Sequence, residues 1–120
     1  MIAVGEHIRV HLFVEPVDMR KGFDGLSALV RAHNLDLFSG ELFVFISKRG
    51  DRVKILTWER GGLALWYKRL ERETFKRVKG SGVLQLDKWA LQLLLEGLDP
   101  RELKRPKRWS PTKTWSPRVG

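Results

Sequence analysis

A chain of 120 residues, 42% hydrophobic and 31% charged, holds enough apolar material for one modest core and too much for disorder throughout. It contains no cysteine, no run of about 18 apolar residues and no basic leader followed by an apolar stretch, so disulfides, thiolate metal sites, a membrane span and a secretory signal are not expected and a cytoplasmic location is. The net charge of +9 is segregated: Lys48 to Lys79 holds 11 basic against 4 acidic residues, and residues 101–120 hold 7 against 1.

Ile8 to Val14 alternates, with Ile8, Val10, Leu12 and Val14 on one face and Arg9, His11 and Phe13 on the other. This predicts a half-buried strand, ended by Pro16. Phe23, Leu26, Val30 and His33 then recur at helical spacing. They predict a helix from about Arg20 to His33, with Asp18 as N-cap and His33 as a partly buried packing residue. Gly22 and Gly25 each cost about 1 kcal/mol of helix propensity, which close packing of another backbone would justify. Arg20 and Lys21 sit where a helix dipole disfavours cations, so contact with an anion is their functional reading. The alternative is plain surface exposure.

Leu42 to Ile46 is continuously apolar and predicts a strand buried on both faces. A turn over Ser47 to Asp51 leads to a strand from Val53 to Trp58. A hairpin turn over Glu59-Arg60-Gly61-Gly62, where the two glycines accept positive φ, leads to another from Leu63 to Arg69. These three strands form an antiparallel meander. Arg72 to Lys79 is ambiguous, with an edge strand through Phe75 and Val78 as one reading. Asp87 is placed to cap a short helix ending near Glu96, with Gly97 at its C′ position. The fold class expected is α+β: an antiparallel meander sheet of four or five strands, one longer N-terminal helix and one short C-terminal helix. The domain is residues 1–99. Residues 100–120 form a basic, flexible tail containing proline and tryptophan.

Searches for chemistry give little. His7 and His11 are four apart on a strand, roughly 13 Å distant, too far to share a metal. No serine lies in a nucleophile elbow, and no glycine-rich phosphate loop is present. Asp18, Asp24, Asp51 and Glu59 are of the type that holds metal ions in nucleases, but they follow no specific pattern. No catalytic residue, metal or cofactor is assigned. Nucleic-acid binding remains. The candidate residues are Arg20, Lys21, Lys48, Arg49, Arg52, Lys54, Lys68, Arg69 and Arg72, with Trp58, Trp66, Tyr67 and Phe75 interleaved. The alternative is a solvated sheet face above a tryptophan core.

The string Asp18-Met-Arg-Lys-Gly-Phe-Asp-Gly-Leu26 carries a resemblance, supported in order by Phe38-Ser-Gly40, Leu42-Phe-Val-Phe45, Gly50-Asp-Arg52, Leu65 to Arg72 and Leu94-Leu-Glu-Gly97. Over residues 8–99 the chain resembles the TnpB accessory proteins of the number-sixty-six family of bacterial insertion sequences. The resemblance implies a non-catalytic protein that assists transposition, with DNA and the element's transposase as partners and the catalytic carboxylates on the transposase. Leu37 stands where the family usually has proline, and the tail matches no motif of the family. A structural protein-interaction module is the alternative, and a small metal-dependent nuclease the third reading.

Overall fold

A computed structural model describes residues 7–97. The chain order is β1 (Val10–Phe13), α1 (Phe23–Ala32), β2 (Leu42–Ile46), β3 (Arg52–Glu59), β4 (Gly62–Arg69), β5 (Val83–Leu86) and α2 (Lys88–Leu95). The α+β class is as expected, and β2, β3 and β4 form the expected antiparallel meander. The sheet as a whole is mixed. Its order is β4-β3-β2-β1-β5, with β1 parallel to β2 and antiparallel to β5. An all-antiparallel sheet was the expectation. It fails because α1 carries the chain back across the sheet, and a crossover helix delivers the next strand parallel to the first.

That placement explains a second difference. β1 is buried on both faces, not one. Val10 and Leu12 join Leu42, Val44, Val53, Ile55 and the α2 residues Leu91 and Leu94 in one core cluster. Phe13 joins Phe43, Phe45, Leu56 and the α1 residues Leu26 and Val30 in the other. The sheet is thus sandwiched, with α1 on one face and α2 on the other. The continuous apolar run of β2 suits its central position, where Leu42 to Phe45 are all buried.

The segment through Phe75 and Val78 is not a strand. It crosses the α2 face and buries those two side chains in the core. The fifth strand is Val83–Leu86, at the opposite edge of the sheet from β4.

Helix α1 begins three residues later than expected. Its N-cap is Gly22, and no side chain caps it. Asp18 instead accepts from the backbone N–H and guanidinium of Arg20, which closes a local turn before the helix. Nothing lies within 4 Å of a Cβ built on Gly22, and at Gly25 the nearest atoms are those of the Lys21 side chain. Close packing of another backbone does not explain these glycines. His33 is exposed at the C-cap, and its ring lies edge-on to Phe13 at 5.0 Å. In α2 the expected signals hold. The Asp87 carboxylate accepts from the N–H of Ala90 at 2.9 Å, and Gly97 follows the helix at φ +86°. Replacing Asp87 by alanine should therefore cost about 1 kcal/mol. A urea midpoint unchanged by D87A would show that the cap contributes nothing.

Residues 100–120, expected to form a flexible tail, lie outside the described residues.

Candidate functional site

Strand register decides which cations meet. In β3 and β4, Arg52 is opposite Arg69, Val53 opposite Lys68, and Lys54 opposite Tyr67. Side chains alternate along a strand and match across a pair. Arg52, Lys54, Tyr67 and Arg69 therefore share the face that α1 covers further along, with Leu56 and Leu65 beyond them. Lys68 points to the other face.

Lys54 differs from its neighbours. It is only 7% exposed. Its Nζ donates to the carbonyls of Met19 and Lys21, both at 2.9 Å, and lies 4.8 Å from the centre of the Tyr67 ring. Expected as a surface cation for phosphate, it is instead a buried clamp. The reason is its place on a core face, beside Leu56, where a charge persists only if carbonyls surround it. The clamp has a result for the site. It fixes the 19–21 segment against β3, so the exposed Arg20 and Lys21 are held at the same end of the sheet as Arg52 and Arg69.

The turn between β2 and β3 extends this end. The N–H of Gly50 donates to the carbonyl of Ser47, and Ser47 Oγ donates to Asp51 at 3.2 Å. Gly50 has φ +80°, with the Thr74 side chain 3.5 Å from where a Cβ would stand, so a side chain there would be strained. The N–H groups of Leu70 and Phe75 donate to the carbonyls of Asp51 and Gly50. These bonds present Lys48 and Arg49, both exposed, at the tip. Arg77, absent from the sequence-based set, donates to the carbonyl of Lys48 and braces the turn. Only its membership of the basic 48–79 stretch could have marked it. Arg72 is exposed just past β4.

The nine residues thus divide. Arg52 and Arg69 share one face with Tyr67, and Arg20 and Lys21 stand on the segment that Lys54 clamps at that end, the Arg20 side chain turned onto Asp18 and the Lys21 side chain lying along Gly25. Lys48 and Arg49 occupy the tip, Arg72 lies just past β4, Lys68 is on the reverse face, and Lys54 is withdrawn inside. Two of these cations already have local carboxylates. Hydrogen bonds from the Arg20 side chain and backbone hold Asp18 down to about 2, and the hydrogen bond to Asp18 raises Arg20 in turn. The hydrogen bond from Arg69 Nε to Glu71, at 2.9 Å, raises Arg69. Both pairs are solvent-exposed, so water and salt compete with them and an incoming phosphate can as well. Lys21 and Arg52 take part in no ion pair among the described residues.

No three His, Asp or Glu residues gather to hold a metal ion among the described residues. His11 is buried, with Nε2 2.8 Å from Glu41 and its ring stacked on Phe43. One shallow cleft, lined mainly by Leu12, Phe13, Pro16, Ile46 and Phe75, contains a single charged residue, Arg77. No helix among the described residues is long and apolar enough to cross a membrane.

Comparison with known proteins adds a lineage. A family model described as IS66 Orf2 like protein matches residues 8–105. Two proteins of Sinorhizobium fredii, both given as uncharacterized, are similar over nearly the whole chain. The protein y4jC is 38% identical, over 94% of this chain and 98% of its own length. The protein y4hO is 32% identical over the same shares. No solved structure matches.

Proposed function

The chain belongs to the IS66 Orf2-like family of insertion-sequence accessory proteins, and from that premise we propose that it assists transposition without catalysis, by binding the element's DNA through the basic end of its sheet. The observation that carries this reading is that Arg52 and Arg69 pair across β3 and β4 at the end of the sheet where Lys54 holds the segment of Arg20 and Lys21, with the exposed Lys48 and Arg49 on the adjoining turn. Cations brought together from separate segments release counterions jointly when a phosphate backbone docks. A solubility surface gives no reason to anchor Arg20 and Lys21 to a buried ammonium. Residues 1–99 form the working domain in this proposal. The tail, residues 100–120, contributes further non-specific positive charge.

The test is the salt dependence of binding to duplex element ends. Each phosphate contact contributes about 0.9 to the slope of log affinity against log salt. Replacing Arg20, Lys21, Arg52 and Arg69 together by glutamine should flatten that slope by about three to four units. A slope that does not change moves the interface elsewhere, first to the tail. Absence of any binding at about 50 mM salt, to duplex and to unpaired strand alike, removes the DNA reading altogether, since non-specific contacts are strongest there.

The transposase is the second partner proposed. Phe23, at the start of α1 beside Lys21, and Phe38, on Trp58 at the far end of β3, are 46% and 56% exposed, apolar surface of the kind a protein partner covers. Co-purification of the transposase with the wild-type chain, lost in a Phe23→Ser, Phe38→Ser variant, is the expected result. Retention by that variant would count against this surface.

A further inference from the structure

Tyr67 is unusual in its setting. It lies on β4, an edge strand, and is 50% exposed. Its neighbours on the same face toward the hairpin, Leu65 and Leu63, pack against the core, whereas Tyr67 does not. The reason lies beneath it. The Lys54 ammonium sits 4.8 Å from the ring centre and is itself held by two backbone carbonyls. The ring therefore rests on a buried cation and cannot fold into the sheet. One π-face is satisfied by that cation, and the ring lies half in water on the face that carries Arg52 and Arg69, beyond the backbone of the 19–21 segment that Lys54 holds.

Duplex DNA has no use for such a ring, because its bases are stacked on one another and present only their edges. An unpaired base has an open π-face. An aromatic platform with cations at the same end of the sheet suits that ligand: the cations track phosphates and the ring takes the base. We infer that the end of the sheet that carries Arg20, Lys21, Arg52, Tyr67 and Arg69 binds single-stranded DNA, with Tyr67 as the stacking platform for one base. The inference rests on the DNA-binding reading above and narrows it to unpaired strand.

Stacking makes a distinct demand on substitutions. The phenol oxygen is dispensable and the ring is not. A phosphate hydrogen bond to the hydroxyl would show the reverse pattern. A purely structural role, as the cover of Lys54, would alter stability and leave the choice between single strand and duplex unchanged.

The full-length chain is titrated against a fluorescein-labelled 20-nucleotide oligo-dT and against a duplex of equal length, at one salt concentration, by anisotropy. The wild type should bind the single strand more tightly. Tyr67→Leu, which keeps an apolar strand residue, should weaken single-strand binding roughly 5- to 150-fold, the range for one stacked base. It should leave duplex binding and the salt slope within about twofold. Tyr67→Phe should match the wild type. Circular dichroism establishes that each variant is folded, and if Tyr67→Leu is not, Tyr67→Trp serves instead and should bind the single strand at least as tightly as the wild type. Equal losses on both ligands, a loss in Tyr67→Phe, or tighter binding of an RNA of the same length overturns the inference. Duplex preference with a steep salt slope overturns it and leaves the DNA-binding reading standing. Binding to neither ligand overturns both.

Discussion

Replacing Lys54 by alanine is expected to destabilise the protein by about 3 kcal/mol, although a surface lysine of a basic protein is normally dispensable. Two contributions are lost. Hydrogen bonds from a charged donor are worth about 1.5–3 kcal/mol each, and the ammonium donates two, to Met19 and Lys21. The buried aliphatic stem contributes packing as well. Against this stands the cost of burying the charge, which alanine relieves. The two carbonyls lie near the surface and can recover water, so the sum falls short of the simple total. Lys54→Met separates the contributions: it keeps the stem, loses the ammonium and should cost about 1–2 kcal/mol. Urea unfolding measures both, with a lowered midpoint and an unchanged slope. A loss below about 0.5 kcal/mol in Lys54→Ala, the range of ordinary surface changes, would mean that the clamp does not exist as described. Single-strand binding should fall in both variants, because Arg20, Lys21 and Tyr67 lose the group that positions them.

The second large effect is expected at Phe43. Its side chain is completely buried in β2, the middle strand of the five, and its ring stacks on that of His11 at 5.2 Å and 16°. Phe43→Ala should cost about 3–5 kcal/mol through lost burial and the cavity left behind. In a domain of this size that corresponds to a fall in Tm of about 12–40 °C. The cavity would open beside a buried imidazole whose Nδ1 has no hydrogen-bond partner. A water molecule entering there would recover part of the loss and keep the cost near the lower value. Phe38→Ala is the control: Phe38 is more than half exposed and touches Trp58 edge-on, so its loss should cost about 1 kcal/mol. Equal effects at Phe38 and Phe43 would contradict the placement of the core.

Much of the fold was legible because it is local. The unbroken apolar run Leu42 to Ile46 indicates a doubly covered strand, and the alternation of β3 and β4 around a tight turn indicates a hairpin. The turn lies at Glu59 to Gly62 as expected, but positive φ falls on Arg60 and Gly61 and not on the two glycines. Glu59 pairs with Gly62, so Arg60 and Gly61 make the corner. Alternation in β1 points to half-burial because Arg9 and His11 are polar. Yet Arg9 precedes the strand, and His11 is buried through its contact with Glu41. Nothing in alternation names a strand's neighbours, so the parallel pairing was hidden. The strand-helix-strand order of β1, α1 and β2 was its available signal. In the site, charge density pointed to the right stretch of chain but could not sort its members. The sign that sets Lys54 apart was present: by alternation it falls on the face of Leu56, where an unpaired cation is not tolerated. The loop partners that tolerate it come from more than thirty residues away and leave no mark in the local pattern.

The mixed order of the sheet also sets a timetable. β2, β3 and β4 are neighbours in sequence and can pair as soon as Arg69 has left the ribosome. β1 is made first, yet one of its two edges stays open until β5 is made, some seventy residues later. Pairings this distant form slowly, and an open apolar strand edge invites other chains in the meantime. For the nascent protein, the segment Val10 to Phe13 is thus the one exposed longest. Overproduction at high temperature, or a lesion that slows β5, should reveal itself as aggregation seeded from the chain's earliest strand.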